Sequence, residues 1–105
     1  MLLDKIEKLK ELLKTDPSDN FLQHALALEL IKVGDDKTAR TIFENILSQD
    51  AAYTGSYYHL AKLLERIGDQ SAAIRTYEKG MEMAKLAGET KTFSELRAAY
   101  EELIY

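Results

Sequence analysis

The chain repeats its own residue types at a constant spacing of 34 residues. Each half carries two leucines, two alanines, a Gly-Asp pair and an aromatic residue at matching positions. The matched pairs are Leu26 and Leu60, Ala27 and Ala61, Leu30 and Leu64, Gly34 and Gly68, Asp35 and Asp69, Ala39 and Ala73, and Phe43 and Tyr77. A constant period of roughly 20–50 residues is typical of stacked arrays, in which each unit buries its apolar face against the next. The alternative fold, a six-helix bundle without repeats, would make these matches a coincidence.

Apolar residues recur at helical spacing along the whole chain, which predicts about six helices. Asn20 with Gln23, and Thr92 with Glu95, have the spacing of capping boxes. Short connections between the segments predict antiparallel neighbours. The expected helices end at Asp16-Pro17, then run from Asn20 to Gly34, from Asp35 or Asp36 to about Ser48, from near Tyr53 to Gly68, from Asp69 to about Ala87, and from Thr92 to about Ile104.

The residue types within each unit follow the pattern W-x2-L-G-x2-Y, then A-x3-F and a closing Pro. The two units read Gln23-x2-Leu26-Ala27-x2-Leu30 with Ala39-x3-Phe43, and Tyr57-x2-Leu60-Ala61-x2-Leu64 with Ala73-x3-Tyr77. Gln23 stands where a bulky aromatic is usual, and Ala51 stands where the proline is usual. Over nearly its whole length the chain therefore resembles the tetratricopeptide repeat family. This resemblance implies an all-α fold, a right-handed superhelical stack of antiparallel helix hairpins.

The period also divides the chain. A shift of 34 residues places Leu12 of the first helix on Ile46, so the first helix corresponds to the second helix of a repeat. Arg97 replaces the small residue of the motif in the last helix, so we expect that helix to be a cap. The expected single domain, 1–105, consists of a half-repeat helix in 1–17, repeats in 20–53 and 54–87, and a capping helix in 90–105.

Composition excludes several functions. The chain has no Cys, so disulfides and thiolate metal sites are excluded. No apolar run approaches the roughly 20 residues that span a bilayer, and the charge at Asp4 argues against a secretory signal, so we expect a cytoplasmic protein. The net charge is −4 and both signs alternate along the helices, which argues against nucleic-acid binding.

No catalytic or metal-binding pattern is evident. His24 and His59 lie 35 residues apart, one step off the repeat, so we expect them on neighbouring but non-equivalent faces. Neither belongs to a His-x3-His or His-Glu-x2-His arrangement, and no phosphate-binding loop is present. We therefore expect no enzyme, no cofactor and no metal, and we interpret both histidines as structural or solvent-exposed.

The resemblance implies that the first helices of the repeats line a concave groove that holds a peptide or helix of another protein. Two further interpretations stay open: these residues are covered by neighbouring helices, or they form a surface for self-association. Ser94, Ala98 and Glu101 are expected to form the far wall. The residues predicted to line the groove are Phe21, His24, Leu28, Ile31, Tyr58, Lys62 and Glu65.

The function that follows is a scaffold or adaptor. Leu28, Ile31 and Tyr58 would hold an apolar anchor of the partner, and Lys62 and Glu65 would set its charge preference. Of these residues only Lys62 fits the inner-face clamp that some family members use for a terminal carboxylate, so we expect no such clamp. The alternative is a homo-oligomer, possibly a dimer, that assembles through its terminal helices. The residues that would carry this assembly are Leu2, Leu3, Ile6, Ile104 and Tyr105.

Overall fold

The computed structural model describes residues 2–105, with side chains from residue 4 onward, so the expectation for Leu2 and Leu3 lies outside the described side chains. Within this range the chain is entirely helical apart from its connections, as predicted. The helices are α1 (Leu2–Thr15), α2 (Asn20–Lys32), α3 (Asp36–Gln49), α4 (Gly55–Arg66), α5 (Gln70–Leu86) and α6 (Thr90–Ile104). Helices α2 and α3 fall within 20–53, and α4 and α5 fall within 54–87.

Three glycines end helices in the same way. Gly34, Gly68 and Gly88 have φ angles of 87°, 86° and 71° and follow α2, α4 and α5. After each glycine, the next backbone N–H donates to a carbonyl five residues earlier, for example from Asp35 to Leu30 at 2.9 Å. A residue with a β-carbon is strained at these φ values, so glycine is the residue that suits this helix stop. The predicted ends at these three positions are confirmed.

Aspartates begin three of the helices. Asp35 accepts a hydrogen bond from the backbone N–H of Thr38 at 3.1 Å, and Asp69 accepts one from Ala72 at 3.2 Å. Each side chain satisfies an amide that has no partner within its helix. The Gly-Asp pair therefore ends one helix and starts the next, which explains why both residues recur together at the repeat spacing.

Both predicted capping boxes are wrong. Asp19, one residue earlier than expected, caps α2 by accepting from the N–H of Leu22, while the Gln23 side chain donates to the carbonyl of Pro17. Helix α6 begins at Thr90, which places Thr92 inside the helix. The N-cap residue of α6, Glu89, makes no side-chain cap bond, because its carboxylate accepts from the Thr54 hydroxyl at 2.6 Å.

The core alternates small and large side chains. Ala27, Ala39, Ala61 and Ala73 are completely buried, which lets the helices approach closely. The large buried side chains that fill the remaining space are Phe43, Ile46, Tyr57, Leu60, Leu63, Leu64, Tyr77 and Leu96. The close helix pairs are α1 with α2, α2 with α3, α3 with α4, α4 with α5, and α5 with α6. The described chain is thus a stack in which each helix packs against its neighbours in sequence.

The expected register of α1 is wrong by one residue. Leu12, predicted to match buried Ile46, is 53% exposed, whereas Ile6 is buried and Leu13 packs against the core. Ile6 and Leu13 match Ala39 and Ile46 at a spacing of 33 residues. The reason is a shorter connection: residues 16–19 separate α1 from α2, whereas residues 50–54 separate α3 from α4. None of the helices within residues 2–105 combines the length and the apolar character needed to cross a bilayer.

Candidate functional site

A cleft of about 410 Å³ lies between α2 and α4, the first helices of the two repeat units. Leu28 and Ile31 are half-buried and pack against the core, so they present a firm apolar surface. We call this cleft the α2–α4 cleft. It is lined by Ala25, Leu28, Glu29, Ile31 and Lys32 of α2 and by His59, Lys62 and Arg66 of α4. Three of the residues predicted for the groove, Leu28, Ile31 and Lys62, are therefore brought together.

Three other predicted residues do not line this cleft. Phe21, at the start of α2, is 72% exposed and lies outside it. The ring of Tyr58 lies beside it instead, 5.8 Å from the Lys62 ammonium. Glu65 accepts a hydrogen bond from the Tyr77 hydroxyl and lies 3.8 Å from Lys62, so its carboxylate is held by residues of the chain itself. Burial and this bond to Glu65 raise the pKa of Tyr77 well above its ordinary value.

His24, the remaining predicted residue, lies at a separate recess of about 330 Å³. This second recess is formed with residues 52–55 and Glu89, near the start of α4. The residues expected to form the far wall are not at either site. Ser94 and Ala98 are exposed, and Glu101 accepts from Arg97 at 3.2 Å within α6. The exposed side chain of Arg97 carries no packed neighbouring helix, as expected for a cap.

His24 and His59 are in contact between the two recesses. Their ring centroids lie 5.4 Å apart, edge to face, and His24 Nδ1 lies 2.8 Å from the hydroxyl oxygen of Ser56. Burial lowers the pKa of both imidazoles, and proximity to His59 lowers that of His24 further. Both rings are therefore neutral at pH 7. The spacing of 35 residues did not predict this contact.

The cations of the α2–α4 cleft are paired with acids at its edges. Lys32 lies 3.2 Å from Glu29, and Arg66 lies 3.0 Å from Asp36 on the neighbouring α3. Exposed pairs of this kind stabilise a fold by about 0–1 kcal/mol, so exchanging them for bonds to a partner costs little. Glu29, Lys32 and Arg66 were missed by the sequence prediction. Extending the stripe of Leu28 by one and four positions would have found the first two.

Hydrogen-bonding capacity remains at the cleft wall. The Glu29 side chain is only 12% exposed, and one of its carboxylate oxygens, Oε2, is buried without a hydrogen-bond donor. A buried charged acceptor without a donor is destabilising, which makes this wall a place where local rearrangement is favoured. Among residues 4–105, no group of three or more His, Cys, Asp or Glu side chains is placed to hold a metal ion.

Paired antiparallel helices, a recurring Gly-Asp turn and a cleft between the first helices of successive pairs define a helical-repeat protein. A solution structure of a tetratricopeptide repeat domain protein from Salinibacter ruber is 41% identical, with a TM-score of 0.80, over 84% of this chain and 89% of that chain. The chain belongs to the tetratricopeptide repeat family. This membership supports a protein-interaction module in general.

Two further comparisons agree with this assignment. A crystal structure of the Salinibacter ruber domain is 40% identical, with a TM-score of 0.78, and the match covers 81% of this chain and 94% of that chain. Protein BPP2914 from Bordetella parapertussis is 22% identical, covers 94% of this chain and 86% of that chain, and has a TM-score of 0.82, so it shares the fold. No family model and no curated protein matches the chain.

Proposed function

We propose that this protein holds a segment of another protein in the α2–α4 cleft. The observation that carries the proposal is the firm apolar surface of Leu28 and Ile31 in a cleft bordered by Lys32, Lys62 and Arg66. Recognition sites are typically concave and mostly apolar, with a few polar groups that orient the ligand. An apolar side chain of the partner would displace water from Leu28 and Ile31, while the cations would orient the residues beside it.

One anchor is not sufficient for binding. Burying a Leu- or Phe-sized side chain contributes about 1.5–3 kcal/mol, whereas association costs about 4–15 kcal/mol in lost freedom and ordering. The partner must therefore make further contacts along the same surface, and the second recess beside His24 is the nearest place for them. A segment of several residues, extended or helical, meets this requirement better than a small molecule.

The test uses peptides selected from a random phage-displayed library against the wild-type protein, with affinities then measured by calorimetry. We expect Leu28→Glu to weaken binding by about tenfold or more, because it removes roughly 1.5–3 kcal/mol of apolar burial. Lys62→Glu changes the cleft without touching the core and should alter the charge preference of the selected peptides. Leu12→Glu, on the exposed face of α1, is the matched control and should bind as wild type does.

The fold of each variant is checked by circular dichroism before its affinity is measured. Equal affinity of the selected peptides for wild type, folded Leu28→Glu and Lys62→Glu would place binding elsewhere and overturn the proposal.

Self-association through the terminal helices is the alternative. Tyr105 is 95% exposed and Ile104 is 37% exposed at the end of α6, which leaves apolar area at that end. On α1, however, exposed Leu12 lies on a surface shared with charged residues, including Glu7 and Lys8. Light scattering distinguishes the two ideas, because a mass that stays monomeric as concentration rises excludes this assembly.

A further inference from the structure

Two contacts join α2 to α4 beside the α2–α4 cleft, and both involve His24. Its ring meets the ring of His59 edge to face, with centroids 5.4 Å apart and an interplanar angle of 70°. Its Nδ1 lies 2.8 Å from the oxygen of Ser56, a residue of α4 that is completely buried. His59 itself lines the cleft. The separation of α2 and α4 at the cleft thus depends on a pair of imidazoles.

The rings that surround this histidine pair are uncharged. Phe43 lies 5.5 Å from His24, edge to face, and stacks 6.3 Å from His59. Tyr53 lies 5.8 Å from His24, and Tyr58 lies 5.6 Å from His59. The pair is therefore half-enclosed by aromatic side chains, which stabilise neutral rings by packing but supply no carboxylate to balance a proton.

The charged groups that face the pair add to this effect on one side. On the cleft side, the lining residues carry three cations and one acid, and the acid already pairs with a cation. On the side of the second recess the acid is Glu89, which accepts from the Thr54 hydroxyl. The groups concerned are Lys32, Lys62, Arg66 and Glu29 on the cleft side and Glu89 and Tyr53 on the recess side.

We propose that the His24–His59 pair is a proton-sensitive contact that holds α2 against α4, and that acidification opens the α2–α4 cleft. The inference rests on the proposed function only in treating this cleft as the binding surface. An imidazolium needs water or an anion, and neither ring can obtain one without leaving its aromatic surroundings. Protonation therefore favours a state in which the rings separate and the helices move apart.

The pH range follows from the environment of the rings. Burial places the pKa of each ring below the ordinary value of 6.5, so the contact is intact at pH 7. Protonation of one ring further disfavours protonation of the other, since two cations would then lie in contact. The pair therefore titrates in two coupled steps rather than as two independent histidines.

The test is an NMR titration of the free wild-type protein from about pH 8 to about pH 5, the range in which histidines change charge. The readouts are the ring protons of both histidines and the methyl groups of Leu28 and Ile31. Leu86, which is 75% exposed on α5, provides the control methyl group. We expect both rings to titrate below 6.5, and the cleft methyl groups to shift with the same midpoint while Leu86 does not.

His59→Phe keeps an aromatic ring in place and removes its proton site, and His24→Asn removes the other partner. We expect the acid-induced shift of the Leu28 and Ile31 methyl groups to shrink in both folded variants, and the pKa of His24 to rise towards 6.5 in His59→Phe. Independent titration of both rings at ordinary values would overturn the proposal. So would cleft methyl shifts that persist unchanged in both variants, because nearby carboxylates would then be their cause.

This experiment needs no partner, so its outcome is separate from that of the peptide selection. A titration as expected, with no peptide bound at the cleft, would retain the proton-sensitive contact and reject the proposed function.

Discussion

Gly80→Ala should destabilise the protein, although it replaces a helical glycine with the best helix former. Gly80 is buried within α5, where α5 crosses α4 and α6. A β-carbon at this position would lie 2.7 Å from Cβ and 2.9 Å from Cγ of Tyr57, and 3.1 Å from Cδ1 of Leu96. The Tyr57 Cβ is bonded directly to the backbone, so rotation of a side chain cannot relieve this contact. The helices themselves must move apart.

Two opposing effects set the magnitude. Overpacking a core costs about 1–3 kcal/mol, and contacts this short belong to the upper part of that range. The change from Gly to Ala returns about 1 kcal/mol of helix propensity. The free energy of unfolding should therefore fall by about 1–2 kcal/mol, which lowers the melting temperature by roughly 4–8 °C for a domain of this size.

Urea and thermal unfolding, followed by circular dichroism, measure this change. Gly55→Ala is the matched control, because the nearest atom to a β-carbon there is His24 Cε1 at 4.0 Å. This control should be unchanged or up to about 1 kcal/mol more stable. If Gly80→Ala proves at least as stable as wild type while the control behaves as expected, the close approach of α4 and α5 at Gly80 is not a constraint, and the reasoning fails.

Three other substitutions test separate features. Gly34→Ala places a β-carbon on a backbone with φ of 87°, and it should lower the free energy of unfolding in urea by about 1 kcal/mol or more; an unchanged value would mean that the turn relaxes. Tyr77→Phe removes a buried hydroxyl that donates to a carboxylate and should cost about 1–3 kcal/mol, whereas Tyr100→Phe, whose hydroxyl bond is at the surface, should cost much less. Stability measured against pH should fall below pH 6.5, because the lowered pKa values of His24 and His59 mean that the unfolded chain binds protons that the folded chain does not. His59→Phe should reduce that fall, and a curve identical to wild type would assign it to other groups.

Local chemistry made much of the fold predictable. Gly34 and Gly68 stop helices by their own backbone freedom, and Asp35 and Asp69 start the next helices with their own side chains. These effects act within a few residues, so they are visible in the sequence as a repeated pair. The predicted cap at Asn20 failed because several polar residues precede α2, and their spacing does not decide which one turns towards the free amides.

The candidate site was less predictable because its contacts cross between helices. Helical periodicity showed that Leu28 and Ile31 leave the core on one face of α2. It did not show how α2 is rotated against α4, and this rotation brings His24 to His59 and places Arg66 at the cleft. A repeat at one spacing relates equivalent positions, whereas contacts between adjacent helices join positions that are not equivalent.

The close helix pairs within residues 2–105 are all consecutive in the chain. A duplicated copy of residues 20–53, inserted after Gln49 in phase with the repeat, would therefore add a layer and preserve the types of contact already present. The stability of such an array is approximately a sum of its units and of the interfaces between them. Each added unit would also extend the surface to which α2 and α4 contribute. Lengthening by duplication is thus a direct route, in evolution or in engineering, from this small protein to one that holds a longer partner.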